Sequence, residues 1–266
     1  MWASWTVLKK DTELLVFPVL SGIATLLVMA SFALPLFEGD VLQSLAQVGE
    51  NDPLFYLGSF LFYVATSFVM IFFNAAIVGC ALARMTGEDP TVRFGLRMAW
   101  QRLPQILLWT LATSTVGFLL RMVEERVGTA GKIVTSVLGM AWSATSFLVV
   151  PVLVHQGVGP VDAYKESVSM LKSTWGAQLT GTVSFSLLFL LLGIPPVALI
   201  VGLALQGSVI AIGTAIAVSG AYLVLLAIVQ ATLQSIYQAA VYAYAYAGEA
   251  PAGFDEHALS SSFRRT

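Results

Sequence analysis

The sequence predicts an all-α, polytopic integral membrane protein with six transmembrane helices. Three observations carry that prediction. Only 11% of the 266 residues are charged, against 58% hydrophobic, whereas a soluble domain carries about 25% charge. The apolar residues come in blocks: from Ser173 to Gly248, 76 residues pass without one Asp, Glu, Lys or Arg. These blocks are continuous rather than alternating, which excludes a transmembrane β-barrel along with a soluble enzyme or a disordered chain. A net charge of −2 leaves no footprint for nucleic acid.

A crossing helix needs about 20 mainly apolar residues. The N-terminus, WASWTVLKKDTELLVFP, opens with a short Trp-bearing helix and runs into the first span, Leu14 to Leu36. Lys9 and Lys10 ahead of it are like the start of a signal peptide. The apolar run exceeds the usual signal core of about 7–15 residues, and no small-residue cleavage site follows, so a retained span is expected. The second span is Leu54 to Ala83. The third, Pro104 to Leu120, is flanked by Trp100 and Arg121; the fourth is Ile133 to Val154. The charge-free block holds the rest. Pro195-Pro196 sits near its middle, and Gln206-Gly207-Ser208 is its most turn-like point. Two long spans, about Ala177 to Leu205 and Val209 to Ala247, compete with three shorter ones broken at the prolines. The two-span reading is preferred, because a proline pair is tolerated where neighbouring helices cover the freed carbonyls.

Loop charges give the orientation. With the N-terminus inside, the inner segments hold Lys9, Lys10, Arg84, Arg93, Arg97, Arg102, Lys165, Lys172, Arg264 and Arg265. The outer loops hold Arg121, Arg126 and Lys132. The first outer loop has Glu38, Asp40, Glu50 and Asp52 and no cation. This bias fits six spans with both termini cytoplasmic.

Two inner loops look alike. Asp89-Pro90 precedes TVRFGLRMAWQRLPQ, and Gly159-Pro160 precedes VDAYKESVSMLKSTWGAQ; the two prolines are 70 residues apart. Proline favours a helix start, and Val161, Tyr164, Val168 and Leu171 fall at helical spacing. The expected unit is an amphipathic helix on the cytoplasmic side followed by a transmembrane hairpin. It repeats over 1–83, 90–154 and 160–247 of a single membrane domain, 1–266, and leaves a cytoplasmic tail at 248–266.

The opening SWTVLKKDTELLVFPVLSG and the ending QSIYQAAVYAYAYAGEAPAGFD together resemble DUF6159, a family of bacterial six-span membrane proteins of unknown function. The resemblance implies this topology and residence in the bacterial inner membrane. It implies no chemistry and no catalytic residue. The hairpin-and-amphipathic-helix pattern is also loosely similar to the membrane domain attached to some glycerophosphodiester phosphodiesterases. No loop here has room for such a soluble domain, so no activity carries over.

The spans hold almost no ionisable residue away from their ends, which argues against a proton-coupled transporter. His155 and His257 flank spans and form no dyad with a serine, and no residues have metal-ligand spacing. The lone cysteine, Cys80, reads as a packing residue. The most unusual polar feature is in the last helix, where Gln230, Gln234 and Gln238 recur every fourth residue and Tyr242 and Tyr246 continue the ridge. Such a ridge either lines a cavity or makes interhelical hydrogen bonds, and the second is the plainer reading. Asn74 reads as glue between helices. Gly213, Ala217 and Ala221 form a small-residue ridge, as do Gly139 and Ser143; such ridges serve packing within the chain or self-association, and packing within the chain is preferred. Tyr242 to Ala247 read as an interfacial aromatic belt. Arg93, Arg97 and Arg102 with Trp100 read as interfacial anchors or as a lipid headgroup site. Pro195 and Pro196 are a helix break and a candidate hinge.

The expected function is a non-catalytic scaffold or subunit of a membrane complex or homo-oligomer, in contact with the phospholipid bilayer. No enzyme activity, cofactor, metal or nucleic-acid partner is expected. A transporter or channel for a neutral or lipidic molecule is the alternative.

Overall fold

The computed structural model describes the backbone of residues 2–34, 53–205 and 209–248, and their side chains except at 2–3, 129–130 and 172–184. The acidic residues of the first outer loop, the Gln206-Gly207-Ser208 turn, His257 and the Arg264-Arg265 tail lie outside the described residues. Every described element is helical. In order they are α1 (Trp2–Lys10), a 3-10 turn (Thr12–Leu15), α2 (Val16–Ala33), α3 (Pro53–Met85), α4 (Val92–Gln101), α5 (Leu103–Arg126), α6 (Thr129–Ser146), α7 (Val149–Gln156), α8 (Pro160–Ala204) and α9 (Val209–Ala247).

Six stretches are long and apolar enough to cross a membrane: Thr12–Ala33, Pro53–Met85, Leu103–Arg126, Gly131–Gln156, Phe185–Ala204 and Val209–Ala247. They reproduce the expected spans to within a few residues, except that the third runs longer and the fifth is delimited from Phe185, the first residue after the undescribed side chains of 172–184. The 45-residue α8 passes through Pro195 and Pro196 without a break, so the charge-free block forms two spans rather than three. The amphipathic stretch after Pro160 is therefore the first part of α8, not a separate helix. Pro160 does open its helix. Pro90 does not: α4 starts after Thr91, whose side chain accepts from the Phe94 amide at 3.2 Å, an N-cap of the usual kind.

The core lies at one end of the bundle, where α1, α4, α7 and the close of α9 gather. Leu14, Phe17, Ala75–Ala81, Leu148–Val154 and Ile236–Tyr242 supply most of the buried residues there. At the other end the helices expose Leu26, Leu27, Leu190, Val209, Ile210 and Leu225. Only 11% of the most apolar window is buried in the first, fifth and sixth spans. A surface this apolar requires lipid or protein around it. At about 1.5 Å per residue, the 33 residues of α3 and 39 of α9 exceed the hydrocarbon thickness of about 30 Å. These helices tilt or extend past it at the packed end.

Candidate functional site

The polar chemistry of the bundle collects on α9, and part of it covers carbonyls that proline leaves without a donor in their own helix. Proline removes an N–H and so orphans the carbonyl four residues earlier. Such a group costs several kcal/mol in lipid if it stays unpaired. Pro196 frees the Leu192 carbonyl, and the Tyr222 hydroxyl donates to it at 3.1 Å. Ser219, fully buried, donates to the Pro196 carbonyl at 3.1 Å. Pro151 likewise frees the Phe147 carbonyl in the fourth span, where the chain turns between α6 and α7. The Gln238 amide donates to that carbonyl. At the same turn the buried Ser167 of α8 accepts from the Leu148 amide at 3.2 Å and donates to the Thr145 carbonyl at 2.6 Å. The fourth span is therefore two helices, where an uninterrupted one was expected.

The rest of the glutamine ridge diverges. Gln230 is half-buried and Gln234 exposed, because a four-residue step drifts about 40° around a helix of 3.6 residues per turn. Neither of the two cavities named below is lined by Gln230, Gln234 or Gln238. Asn74 does bridge helices, donating to Ser235 Oγ at 3.0 Å. Tyr242 is not part of an interfacial belt. It is 1% exposed, lies 2.9 Å from His155 Nδ1 and accepts from Gln156 at 3.3 Å. Tyr246 is exposed beside it, with ring centroids 5.8 Å apart.

The small-residue ridge of α9 also departs from expectation. Ala215 and Ser219 are buried, while Gly213, Ala217, Gly220, Ala221, Ala227 and Ala231 face outward. A Cβ built on Gly213 or Gly220 meets nothing within 4 Å. The same is true of Gly139, and Ser143 is exposed. The α9 residues of the ridge do not pack within the chain, because α8 meets another face of α9, through Ser219 and Tyr222.

At the packed end, four arginines divide into two pairs. Arg84 binds Asp11 of the N-terminal segment and Asp89, joining three segments through an ion network. Arg102 turns inward, its Nε donating to the Val154 carbonyl at 3.3 Å near the end of α7. A cation there suits the negative end of the helix dipole. The guanidinium lies over Gly157, which adopts φ +69 and where any Cβ would meet Arg102 Nη1 at 2.2 Å. Arg102 is therefore separated from the surface group to which the sequence assigned it. Arg93, Arg97 and Trp100 remain together on the outer face of α4, around an open hollow of about 960 Å³. Gly95 sets the inner face: a Cβ there would lie 2.6 Å from Cys80 Sγ and Phe17 Cζ, and 2.9 Å from the Ala76 carbonyl. Cys80 is buried in that contact.

Two further features had no distinct signal in the sequence. Trp109, Trp142 and Tyr164 stack together from α5, α6 and α8, with centroids 5.2 to 6.3 Å apart. At the loosely packed end, a cavity of about 480 Å³ opens between α3 and α5, lined by Tyr56, Phe62, Tyr63, Phe118, Arg121 and Glu125 among others. Among the described residues no three His, Cys, Asp or Glu side chains are placed to hold a metal.

Residues 54–254 match the family described as a family of unknown function, DUF6159. The match covers well over half of the chain, and the protein belongs to this family. It includes the closing motif from Gln234 as far as Phe254 and leaves out the opening one. No curated protein and no solved structure matches the chain.

Proposed function

We propose that this DUF6159 protein is a non-catalytic membrane subunit that assembles with a second copy of itself through the outward face of α9. The observation that supports this reading is the exposed small-residue stripe from Gly213 to Ala231, followed one turn later by exposed Gln234. From Gly213 to Gln234 the stripe runs about 32 Å at 1.5 Å per residue, the thickness of a hydrocarbon core. Between lipid-embedded helices the driving force is close packing and interhelical hydrogen bonding, and small residues permit both. An amide carries donor and acceptor in one side chain, so two copies of Gln234 satisfy each other across a two-fold axis. Both termini and α4 are placed on the cytoplasmic side of a bacterial inner membrane, a reading that rests on the cation bias of the loops and on the family resemblance.

Native mass spectrometry of protein released gently from its membrane tests the assembly. A defined homo-oligomer is expected, converted to monomer by G213I/G220I. A wild-type monomer, or an oligomer indifferent to those substitutions, removes the proposal. A carrier for a lipidic or neutral molecule is the second reading, supported by the aromatic cavity between α3 and α5. Retention of such a molecule by wild type and its loss in Y63A/F118A is the outcome that favours it.

A further inference from the structure

From the outer face of α4 we infer a binding site for the headgroup of one anionic phospholipid, with Arg93 and Arg97 holding the phosphate and Trp100 the start of an acyl chain. The inference starts from how the arginines near α4 are used. Arg84 is committed to Asp11 and Asp89, and Arg102 to the Val154 carbonyl. Arg93 and Arg97 are exposed, and neither has a carboxylate within ion-pair distance among the described residues. One helical turn separates them, so their guanidinium groups stand on the same face, each offering a planar fork that fits phosphate oxygens in pairs.

Two further observations point to a lipid rather than a soluble anion. The hollow between the cations is otherwise walled by Thr91, Phe94, Leu96, Trp100 and Gln101, and a small inorganic ion leaves the apolar part of that wall, Phe94, Leu96 and Trp100, unused. Trp100 is 68% exposed, and its ring meets Phe72 edge-on with centroids 6.5 Å apart. Phe72 in turn contacts Phe68 one turn further along α3, at 5.8 Å. An aromatic track thus leads from the cation pair onto the flank of the second span, as a phosphate with an attached chain requires. The helix is held by its opposite face, where Gly95 contacts Cys80 and the α3 backbone, so the cations are presented on a fixed surface.

The test titrates the full chain in mild non-ionic detergent with dioleoylphosphatidylglycerol or dioleoylphosphatidylcholine and counts bound lipid by native mass spectrometry. Wild type is expected to retain one phosphatidylglycerol in preference to phosphatidylcholine. R93Q/R97Q is expected to weaken phosphatidylglycerol binding about 30-fold, the fold-change for two juxtamembrane cations at about 1 kcal/mol each, with an unchanged melting temperature. R93K/R97K keeps the charge and loses the forks, and is expected to lose several-fold. R121Q, a cation at the other end of the bundle, serves as the control and is expected to bind as wild type does. Undiminished binding in R93Q/R97Q overturns the site. Full binding in R93K/R97K reduces it to bulk charge attraction and also overturns it. Displacement of the lipid by millimolar inorganic phosphate assigns the cations to a free anion instead. None of these outcomes depends on self-association, so the site stands or falls separately from the dimer.

Discussion

Replacing Tyr222 by Phe removes one hydroxyl and leaves the Leu192 carbonyl, orphaned by Pro196, without its donor at 3.1 Å. The ring stays, so packing is nearly unchanged and the loss is the hydrogen bond. Interhelical hydrogen bonds in membranes average about 0.6 kcal/mol and reach about 1.7. The upper end applies here, because no backbone N–H replaces the hydroxyl, and Y222F is expected to cost about 1.5 kcal/mol. The decisive step is to repeat the substitution in P196A, where the restored N–H reaches Leu192 from within α8. There Y222F is expected to cost no more than about 0.3 kcal/mol, a coupling of roughly 1 kcal/mol between residues on different helices. Reversible unfolding of the four proteins of this cycle, in mixed micelles with increasing sodium dodecyl sulfate, measures it. Equal costs of Y222F with and without Pro196 would refute the idea that α9 covers a carbonyl freed in α8.

The same logic predicts that Q238L destabilises by about 1–2 kcal/mol and that P151A suppresses most of that loss, measured in the same assay. G95A places a Cβ 2.6 Å from Cys80 Sγ and 2.9 Å from the Ala76 carbonyl. It is expected to cost about 1–3 kcal/mol, and C80A relieves only part of that because the carbonyl cannot move aside. D11N breaks the ion pair that anchors the N-terminal segment to Arg84. Faster proteolysis of residues 1–15 at unchanged overall melting is expected, since Asp89 still holds Arg84. Q234L is expected to weaken self-association about threefold, the worth of one average interhelical hydrogen bond, read from the dilution dependence of the oligomer.

The sequence by itself determined the class and placed the first four spans, and it preferred two long spans over three short ones in the charge-free block, a choice that the unbroken α8 decided. Class and span placement depend on transfer energies that add residue by residue along a contiguous segment, so local hydropathy and the Lys/Arg pattern suffice. It also identified Pro195-Pro196 as requiring cover and Asn74 as a bridge, because a polar or broken backbone group in lipid demands a partner wherever that partner lies. Only the tertiary structure decided which partners those are. Tyr222 serves Leu192 thirty residues away, Asn74 reaches Ser235 across 161, and Gln238 serves Phe147 across 91. Arg102 looked like Arg93 and Arg97 in the sequence, yet it was drawn inward by the open carbonyl end of α7. Gly213 and Ala217 looked like internal packing residues and face outward, because α8 took another face of α9. Lipid is as apolar as leucine, so hydropathy marks a helix as membrane-embedded without recording which of its faces meets protein. That choice is made by shape and by pairing of polar groups between helices, and neither is local in the chain.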